Sequence, residues 1–372
     1  MSQKKTIAVL FGGQSGEHEV SLVSAQAVMA GLDPTKYNIL PIGISKAGRW
    51  IAGAEALPAM FAAADHKRLP GEMEQAATNA ETERAPDHAQ LAVTATQFSI
   101  LDPQFPIDVV FPALHGPLGE DGTVQGLLEL AGIPYVGSGV AASSVGMDKA
   151  LMKAAFAAAG LPILPWLLVR RHEWQNDAQR VYTQIEQQLA YPLFVKPANM
   201  GSSVGVNKAH DRAGLEQAIA AAAHYDRRII VECGVTAREI EVSVLGNDEP
   251  QASVPGEVIP SNEWYDYAAK YLDGQSEIII PAQIPDEFVA QVQALALRAF
   301  VAIDGAGLAR VDFLLDKESG ALWLNEINTM PGFTPISMYA KMWAASGVAY
   351  HELLDRLVEL ALERHRQKNR EL

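Results

Sequence analysis

The sequence predicts an α/β protein, α+β in part. The prediction rests on a strand, a glycine turn and a helix that follow one another from residue 6. Thr6–Phe11 is a short buried-type strand, Gly12–Gly16 follows as a glycine turn, and a helical pattern runs from about Glu17 to Ala30. Strand, glycine turn and helix in this order are typical of the start of an α/β unit. Tyr37–Ile44 is predicted as the next strand, so we expect an N-terminal α/β domain.

The remainder of this first domain continues the alternation of strand and helix. Ile107–Pro112 is a further buried-type strand, Thr123–Ala131 has a helical pattern, and Ile133–Val136 is strand-like. Residues 55–98 are rich in Ala, Gln, Glu and Asp with weak periodicity, which predicts irregular or partly helical surface. Gly137–Gly139 indicates a hinge, so the first domain is predicted to cover residues 1–139.

A smaller α+β domain is predicted over residues 140–233. Asp148 can cap a helix over Lys149–Ala159, which Gly160 and Pro162 end. The other expected elements of this domain are strands at Leu193–Lys196, Ser203–Val206 and Ile229–Glu232 and a helix at Leu215–Ala223.

The third predicted domain, residues 234–372, contains two largely apolar runs, Leu308–Leu315 and Ala321–Ile327. The polar turn Asp316–Gly320 joins them, which predicts neighbouring strands. The helix Tyr350–Glu363 has apolar residues at helical spacing. We expect this helix to pack on its own domain.

Composition narrows the classes of partner. The chain has 372 residues, and 29 basic against 44 acidic side chains give a net charge of −15. This balance argues against nucleic acid or an anionic membrane as the main partner. Cys233 is the only cysteine, so no intrachain disulfide forms, which fits a reducing compartment. With no signal-like or membrane-spanning apolar run, a cytoplasmic enzyme is expected.

The most informative cluster lies on the predicted hairpin. Asp312, Glu326 and Asn328 would present oxygen ligands from adjacent strands, and oxygen ligands without His or Cys suit Mg²⁺. The alternative is a solvated hairpin with a few acids. Arg310 shares a strand face with Asp312, where it would stabilise developing negative charge or form an ion pair with Asp312 or Glu326.

A second cluster surrounds the loop Lys196–Gly205. Its glycines and serines, including Ser202 and Ser203, offer backbone N–H groups and hydroxyls to phosphates, and Lys196 would reach the same phosphates. A flexible turn is the alternative. The loop is not the GxxxxGK[ST] motif, which disfavours an ordinary P-loop NTPase. Lys149 would add a second phosphate contact or would simply be solvated.

A third candidate segment, Glu232–Val235, lies at the end of a predicted strand. Its backbone would read an adenine edge, with Glu232 accepting a hydrogen bond from the exocyclic amine, and Glu239 would hold ribose hydroxyls. Both acids would otherwise be ordinary surface acids. Cys233 is interpreted as a small packed residue rather than a nucleophile.

Six blocks of sequence, in order along the chain, together resemble D-alanine–D-alanine ligases of the ATP-grasp superfamily. The blocks are Phe11–Ser21, His115–Gly122, Met147–Lys149, Lys196–Gly205, Tyr265–Tyr271 and Asn325–Gly332. The resemblance implies a three-domain ATP-grasp architecture with an N-terminal Rossmann-like α/β domain. It also implies that ATP phosphorylates one D-alanine and that the amine of a second D-alanine attacks the acyl phosphate, as a step of peptidoglycan precursor synthesis.

The resemblance also assigns roles to residues. Two Mg²⁺ ions, with Mn²⁺ as a substitute, are expected on Asp312, Glu326 and Asn328. Residues expected to bind the nucleotide are Lys149, Lys196, Ser202, Ser203, Glu232, Cys233, Val235, Glu239 and Lys270. Arg310 and the backbone N–H of Gly332 would stabilise the acyl phosphate and the tetrahedral species.

Substrate roles follow from the same resemblance. Glu17 is expected to bind the ammonium of the first D-alanine, although a helix N-terminal acid is favourable without any substrate. Ser202 and Tyr271 would join Glu17 in latching a mobile loop over the site. Ser337 is expected to bind the carboxylate of the second D-alanine. His115 would lie near the first substrate or would be a structural loop residue.

Alternative functions remain at this point. A related carboxylate–amine ligase would use another acceptor such as D-lactate or D-serine, although the block Tyr265–Tyr271 favours D-alanine. A nucleotide-binding regulator is disfavoured because a sensor need not keep Arg310 beside the metal ligands. A biotin-dependent carboxylase is disfavoured more strongly, because nothing in the sequence suggests a bicarbonate site. Family members commonly dimerise, so a homodimer is expected.

Overall fold

The structure is a computed structural model that describes residues 4–64, 106–259 and 276–368. The strands within these ranges form three sheets, which confirms the mixed α/β class predicted from sequence. No helix in these ranges combines the length and the apolar character needed to cross a membrane.

The N-terminal sheet has the strand order β3-β2-β1-β4, in which β1 runs parallel to both β2 and β4. Ile7, Val9 and Phe11 of β1 enter one hydrophobic core while Ala8 and Leu10 enter another, as expected for a strand covered on both faces. Its elements are β1 (Lys5–Gly12), α1 (His18–Gly31), β2 (Tyr37–Ile44), β3 (Trp50–Ala52), α2 (Ala56–Ala62) and β4 (Val109–Pro112). The predicted strand at Ile133–Val136 contributes only a single bridge, from Tyr135 to Val110.

Three helices follow the first sheet. They are α3 (Thr123–Leu130), α4 (Val140–Met147) and α5 (Lys149–Ala158). Asp148 caps α5 as predicted, since its Oδ1 accepts hydrogen bonds from the N–H groups of Ala150 and Leu151 at 3.0 Å each. Met152 and Phe156 of α5 pack into the core of the C-terminal sheet.

The middle sheet is antiparallel, with the order β5-β8-β6-β7. Its elements are β5 (Trp166–Arg170), α6 (Arg171–Asn176), α7 (Ala178–Gln188), β6 (Leu193–Pro197), β7 (Asn207–Ala209), α8 (Arg212–Tyr225) and β8 (Arg228–Cys233). The predicted strand at Ser203–Val206 is wrong, because residues 202–205 form turns and the strand begins at Asn207. Ser203 has a φ of 59°, a left-handed conformation that interrupts a β ladder.

The C-terminal sheet has the order β12-β11-β9-β13-β14, with β10 paired to β9. Along β13 and β14 one face is apolar and buried, and the other carries the predicted acidic cluster. The strands are β9 (Ala237–Gly246), β10 (Gln251–Ala252), β11 (Gly256–Ile259), β12 (Glu277–Ile279), β13 (Gly307–Asp316) and β14 (Leu322–Asn328). The helices are α9 (Asp286–Ala302), α10 (Met338–Ala345) and α11 (Tyr350–Lys368).

Helix α11 packs on its own domain as expected, in a core with Phe333, Tyr339 and Trp343, and it also packs on the N-terminal sheet. Leu353 and Leu357 are fully buried in one core with Ile7 and Val9 of β1. The same core takes Leu308 from the C-terminal sheet. An apolar stripe predicts that a helix is buried but does not say which sheet covers it.

Candidate active site

The middle and C-terminal sheets, together with α1 and the loops near Glu17 and His115, line one large cavity of about 1290 Å³. The predicted site residues that line it are Glu17, His115, Lys149, Lys196, Ser202, Ser203, Glu232, Cys233, Val235, Glu239, Arg310, Asp312, Glu326, Asn328, Gly332 and Ser337. Lys270 and Tyr271 lie outside the described residues, as does the whole block Tyr265–Tyr271. The structure therefore brings together every predicted site residue that it describes.

The floor of the cavity is the polar face of β13 and β14. The antiparallel register pairs Arg310 with Asn328 and Asp312 with Glu326, so all four side chains lie on one face. The opposite face carries Val311, which is fully buried in the core. A register shift follows Asp312. The predicted hairpin thus presents its oxygen donors to the cavity and its apolar residues to the interior.

Arg310 is held by two carboxylates. Its Nε and Nη2 donate to the two oxygens of Asp312 at 2.8 and 2.7 Å, and its Nε lies 3.0 Å from a carboxylate oxygen of Glu241. Burial alone would lower the pKa of Arg310, but the charges of Asp312 and Glu241 raise that pKa well above its ordinary value. The ion pair considered from sequence is therefore present, and Arg310 still lines the cavity.

The donor set of the floor fits a hard cation. Asp312, Glu326 and Asn328 supply two carboxylates and one amide, all of them oxygen donors, which suits Mg²⁺ when water and phosphate oxygens complete its shell. Within the described ranges, no group of three or more His, Cys, Asp or Glu side chains is arranged to hold a metal ion. A cation at this floor would therefore depend on the amide and on the bound substrate for its remaining ligands.

Glu17 meets the loop of the middle sheet at the other side of the cavity. The hydroxyl of Ser202 donates a hydrogen bond to Oε1 of Glu17. A Cβ atom added to either Gly116 or Gly201 would lie 2.7 Å from Oε2 of Glu17. These glycines therefore leave space for a carboxylate that is itself only 8% exposed. The loop that carries Gly116 and the loop that carries Gly201 and Ser202 therefore both approach this one acidic group.

His115 is almost fully buried and its ring nitrogens contact protein atoms. Nδ1 lies 3.2 Å from the carbonyl oxygen of Met330 and 3.3 Å from a carboxylate oxygen of Glu120, both acceptors, so Nδ1 carries a proton. Nε2 lies 2.9 Å from the hydroxyl of Ser24. Burial alone would lower the pKa of His115, but its hydrogen bond to Glu120 raises that pKa above the ordinary value.

Lysines surround the predicted phosphate region. Lys149 donates to the carbonyl oxygen of Met200 at 2.8 Å, and its Nζ lies 4.0 Å from Glu326. Lys196 forms an ion pair with Oε1 of Glu232. Lys153 approaches the other carboxylate oxygen of Glu232 at 2.7 Å.

Glu232 therefore lies between the ammonium groups of Lys153 and Lys196, and it is only 2% exposed. Burial alone would raise the pKa of Glu232, but the charges of Lys153 and Lys196 lower it to about 2. An adenine amine at this position would share a carboxylate that already pairs with both lysines.

The end of β8 and the residue after it offer fewer backbone donors than expected from the sequence. The N–H of Cys233 donates to the carbonyl oxygen of Pro165 at 3.0 Å, and that of Gly234 donates to Pro192 at 2.8 Å. Neither amide is free to bind a base. Cys233 is a partly exposed free thiol.

Ser337 and Gly332 lie together at the start of α10. A Cβ atom added to Gly332 would lie 3.4 Å from the hydroxyl oxygen of Ser337. That hydroxyl accepts a hydrogen bond from the N–H of Thr334 at 3.1 Å and lies 2.7 Å from the Thr334 hydroxyl. Ser337 precedes α10 directly, and a helix N-terminus favours an anionic group.

Sequence reasoning missed four residues of this site. Glu241 was detectable, because Glu239, Glu241 and Ser243 alternate with apolar residues over Ala237–Gly246, which is the period of a strand. Lys153 was detectable because it follows Lys149 by one helical turn. Ser24 carried no signal for its contact with His115, because 91 residues separate the two, and Glu120, five residues after His115, contacts it only through the fold of the intervening loop.

Comparison with known proteins identifies the family. A model described as D-ala D-ala ligase N-terminus matches residues 6–138, and one described as D-ala D-ala ligase C-terminus matches residues 155–359. The chain belongs to the D-alanine–D-alanine ligase family. It is therefore a ligase, and the resemblance seen in its six sequence blocks is confirmed.

Relatives of similar length support this membership. A D-alanine–D-alanine ligase of Heliobacterium modesticaldum is 53% identical over 99% of this chain and 97% of the relative. One of Chloroherpeton thalassium is 51% identical over 98% of each chain.

Solved structures of ligases have the same fold. The D-alanine–D-alanine ligase of Coxiella burnetii matches with a TM-score of 0.78 and 36% identity, over 99% of this chain and 96% of that one. The VanG D-Ala:D-Ser ligase of Enterococcus faecalis matches with a TM-score of 0.78 and 34% identity, over 96% of this chain and all of that one. The ATP-grasp architecture expected from sequence is thereby confirmed.

Proposed function

We propose that this ligase joins two molecules of D-alanine into D-alanyl-D-alanine at the expense of ATP. The observation that carries the proposal is the single cavity in which Glu17 lies at one side and Arg310, Asp312 and Glu326 form the floor. An amino acid held at Glu17 and a nucleotide held over the floor would share that space. Relatives named D-alanine–D-alanine ligase, at about half identity over nearly the full chain, support the same function.

The chemistry needs an activated acid. A carboxylate is a poor acyl donor until one of its oxygens is part of a good leaving group. The γ-phosphoryl group of ATP passes to the carboxylate of the first D-alanine, giving ADP and D-alanyl phosphate. The amine of the second D-alanine then attacks the acyl carbon, the C–O bond to phosphate breaks, and the amine loses a proton. The first step requires mainly positioning and neutralisation of charge.

Two Mg²⁺ ions, or Mn²⁺ in their place, would be held by Asp312, Glu326 and Asn328, and would neutralise phosphate charge when bound. Asp312 also pairs with Arg310. Its carboxylate would exchange that contact for the cation, and Glu241 would remain beside the guanidinium.

The nucleotide is assigned to the space between the middle and C-terminal sheets. Lys149 and Lys196 would contact its phosphate oxygens, and Ser202, Ser203 and the loop backbone would complete the phosphate site. The remaining nucleotide contacts are assigned to Glu232, Cys233, Val235 and Glu239, with Lys270 in the segment outside the described residues.

The first D-alanine is assigned to the Glu17 side of the cavity. Glu17 would pair with its ammonium group, and His115 would act close by. Ser202, with Tyr271, would hold the loop over the acyl phosphate, because that intermediate is lost if water reaches it. The contact of Ser202 with Glu17 supports this latch.

The second D-alanine is assigned to the region of Gly332 and Ser337. Ser337, at the N-terminal end of α10, would bind its carboxylate. The negative charge that develops during attack would be stabilised by Arg310 and by the backbone N–H of Gly332.

D-Serine or D-lactate as the acceptor is the competing assignment. The structural likeness to a ligase described as D-Ala:D-Ser is as high as the likeness to a D-alanine–D-alanine ligase, so the fold does not separate the two. D-Alanine is preferred because the relatives at higher identity carry that name.

Formation of D-alanyl-D-alanine would make the enzyme part of peptidoglycan precursor synthesis in the cytoplasm. A reducing compartment suits this chain, because its single cysteine cannot form an intrachain disulfide. A homodimer is part of the proposal. So are the domain limits 1–139, 140–233 and 234–372, although helix α5 packs against the C-terminal sheet.

The decisive experiment incubates the enzyme with ATP, Mg²⁺ and D-alanine and identifies the product by mass. Equal concentrations of D-serine and D-lactate in the same reaction test acceptor choice. D-Alanyl-D-alanine as the main product supports the proposal. A mixed dipeptide or depsipeptide as the main product would replace it with the competing assignment.

A further inference from the structure

Lys153 is a buried cation that lies outside the cavity. The proposed function assigns it no role. It is only 2% exposed, on α5 one turn after Lys149. It is not among the described residues that line the cavity, whereas Lys149 is. A fully buried lysine is rare unless a partner compensates its charge. Its Nζ lies 2.7 Å from Oε2 of Glu232, which provides that compensation.

The same carboxylate also binds Lys196. The ion pair uses Oε1 of Glu232, so each carboxylate oxygen faces one ammonium group. One lysine is enough to neutralise one buried carboxylate. The triad of Lys153, Glu232 and Lys196 therefore has a net charge of +1. Only Lys196 and Glu232 of this triad line the cavity.

We propose that Lys153 is a positioning residue that keeps Glu232 neutralised, so that the ammonium group of Lys196 remains available to the phosphates of the nucleotide. Without Lys153, the charge of Lys196 would be cancelled by the glutamate beside it. With Lys153 present, Lys196 can turn from Glu232 to a phosphate oxygen without leaving a buried carboxylate unpaired. This inference rests on the proposed nucleotide site and extends it to a residue that the nucleotide does not touch.

The charge count leads to a double-mutant test. Lys153→Met leaves Lys196 and Glu232 as a neutral pair, and it should weaken ATP binding by about tenfold or more. In a Glu232→Gln background, Lys153→Met should cost much less ATP affinity than it does in the wild-type enzyme, because no carboxylate remains there for Lys153 to neutralise. Lys153→Arg keeps the charge and should bind ATP within about threefold of the wild-type enzyme.

Binding is measured by calorimetry with ATP and, separately, with adenosine, which lacks phosphates. The proposal expects adenosine binding to change by less than about threefold in Lys153→Met, because the lost charge acts on phosphates. Lys46→Met, at a half-exposed lysine, is the control. Lys46 also pairs with a buried glutamate, Glu19, at 2.5 Å, and it lies away from the cavity.

Three results would overturn the proposal: unchanged ATP affinity in Lys153→Met, equal losses for ATP and adenosine, or the same loss from Lys153→Met in the Glu232→Gln background as in the wild type. Thermal unfolding of each variant reports whether it folds. If Lys153→Met alone does not fold, the comparison moves to the Glu232→Gln background, where adding Lys153→Met should change ATP affinity by less than about threefold. A larger loss there counts against the proposal. A wild-type enzyme that fails to bind ATP would instead overturn the proposed function.

Discussion

The hydroxyl of Ser202 donates a hydrogen bond to Glu17, although 185 residues separate the two in sequence. Ser202 lies in the loop after β6, and Glu17 directly precedes α1. The backbone of Ser202 has a φ of 47°, a conformation that a serine adopts at a cost. The contact therefore joins the loop before α1 to the loop after β6 at one side of the cavity.

Removing that hydrogen bond should uncouple the reaction. In Ser202→Ala we expect the ratio of phosphate released to dipeptide formed to rise severalfold, because a less firmly held loop admits water to the acyl phosphate. The ratio is measured by a phosphate assay alongside quantitative mass spectrometry. Ser319→Ala, in the exposed turn after β13, is the control. An unchanged ratio in Ser202→Ala would remove the latch from the mechanism.

A methyl group at position 201 should disturb Glu17 directly. In Gly201→Ala the new Cβ would lie 2.7 Å from Oε2 of Glu17, so the carboxylate must move. We expect the KM for the first D-alanine to rise about tenfold, which is roughly 1.4 kcal/mol of binding energy. Steady-state kinetics measure it. Gly126→Ala, on α3 with no atom within 4 Å of its Cβ, should leave the KM unchanged.

The acidic floor should be essential to turnover and dispensable for folding. Glu326→Gln keeps the shape of the side chain but removes a carboxylate from the donor set, so we expect kcat to fall by about a hundredfold or more. Circular dichroism should show a folded protein. Glu318→Gln changes an exposed acid in the turn between β13 and β14 and serves as the control. Wild-type turnover in Glu326→Gln would exclude a metal-binding role for this residue.

The buried carboxylate of Glu232 should make stability sensitive to acid. The pKa of Glu232 falls from 4.5 in a free side chain to about 2 in the fold; burial opposes this shift, and Lys153 and Lys196 cause it. A depressed pKa contributes stability that is full above pH 4.5 and is lost as the pH falls towards 2. The contribution is about 3 kcal/mol at neutral pH.

Chemical unfolding of the wild type and of Glu232→Gln across this pH range measures the contribution. The stability of the wild type should fall more steeply with acid, and the two curves should approach each other near pH 2. Glu318→Gln should follow the wild-type curve. Parallel curves for the wild type and Glu232→Gln would show that this carboxylate does not govern the acid response.

Helix α11 should stabilise the N-terminal sheet. Leu357 is fully buried with residues of β1, so Leu357→Ala should lower the free energy of unfolding by about 2–5 kcal/mol. Denaturant unfolding measures the loss. Leu130→Ala, at a position that is 91% exposed, should change stability by less than about 0.5 kcal/mol. Equal effects at the two positions would contradict the observed packing.

Elements with strong local patterns were predictable from sequence, and their tertiary partners were less so. β2 begins at Tyr37 and ends at Ile44 as predicted, because its ends are set by local residues. The predicted strand at Ser203–Val206 failed because a positive φ at a serine leaves no mark in the composition. The contact of α11 with β1 was missed because β1 lies far away in the chain.

The candidate site followed the same division. Asp312 and Glu326 were predictable as neighbours because a short hairpin fixes their register. The pairing of Lys153 with Glu232 was not, since it depends on how α5 docks against the middle sheet. Sequence motifs therefore identified the groups that line the cavity. The charged residues that pair with those groups from outside the cavity could be identified only from the fold.

The packing of Leu353 and Leu357 beside Ile7 has a consequence for how the protein is made. Because β1 is synthesised long before α11, one apolar face of the nascent N-terminal sheet remains uncovered until α11 is made. Its final consolidation can come only after nearly all the remaining chain has been synthesised. Premature termination upstream of Leu353 would release a polypeptide prone to aggregation rather than a working fragment.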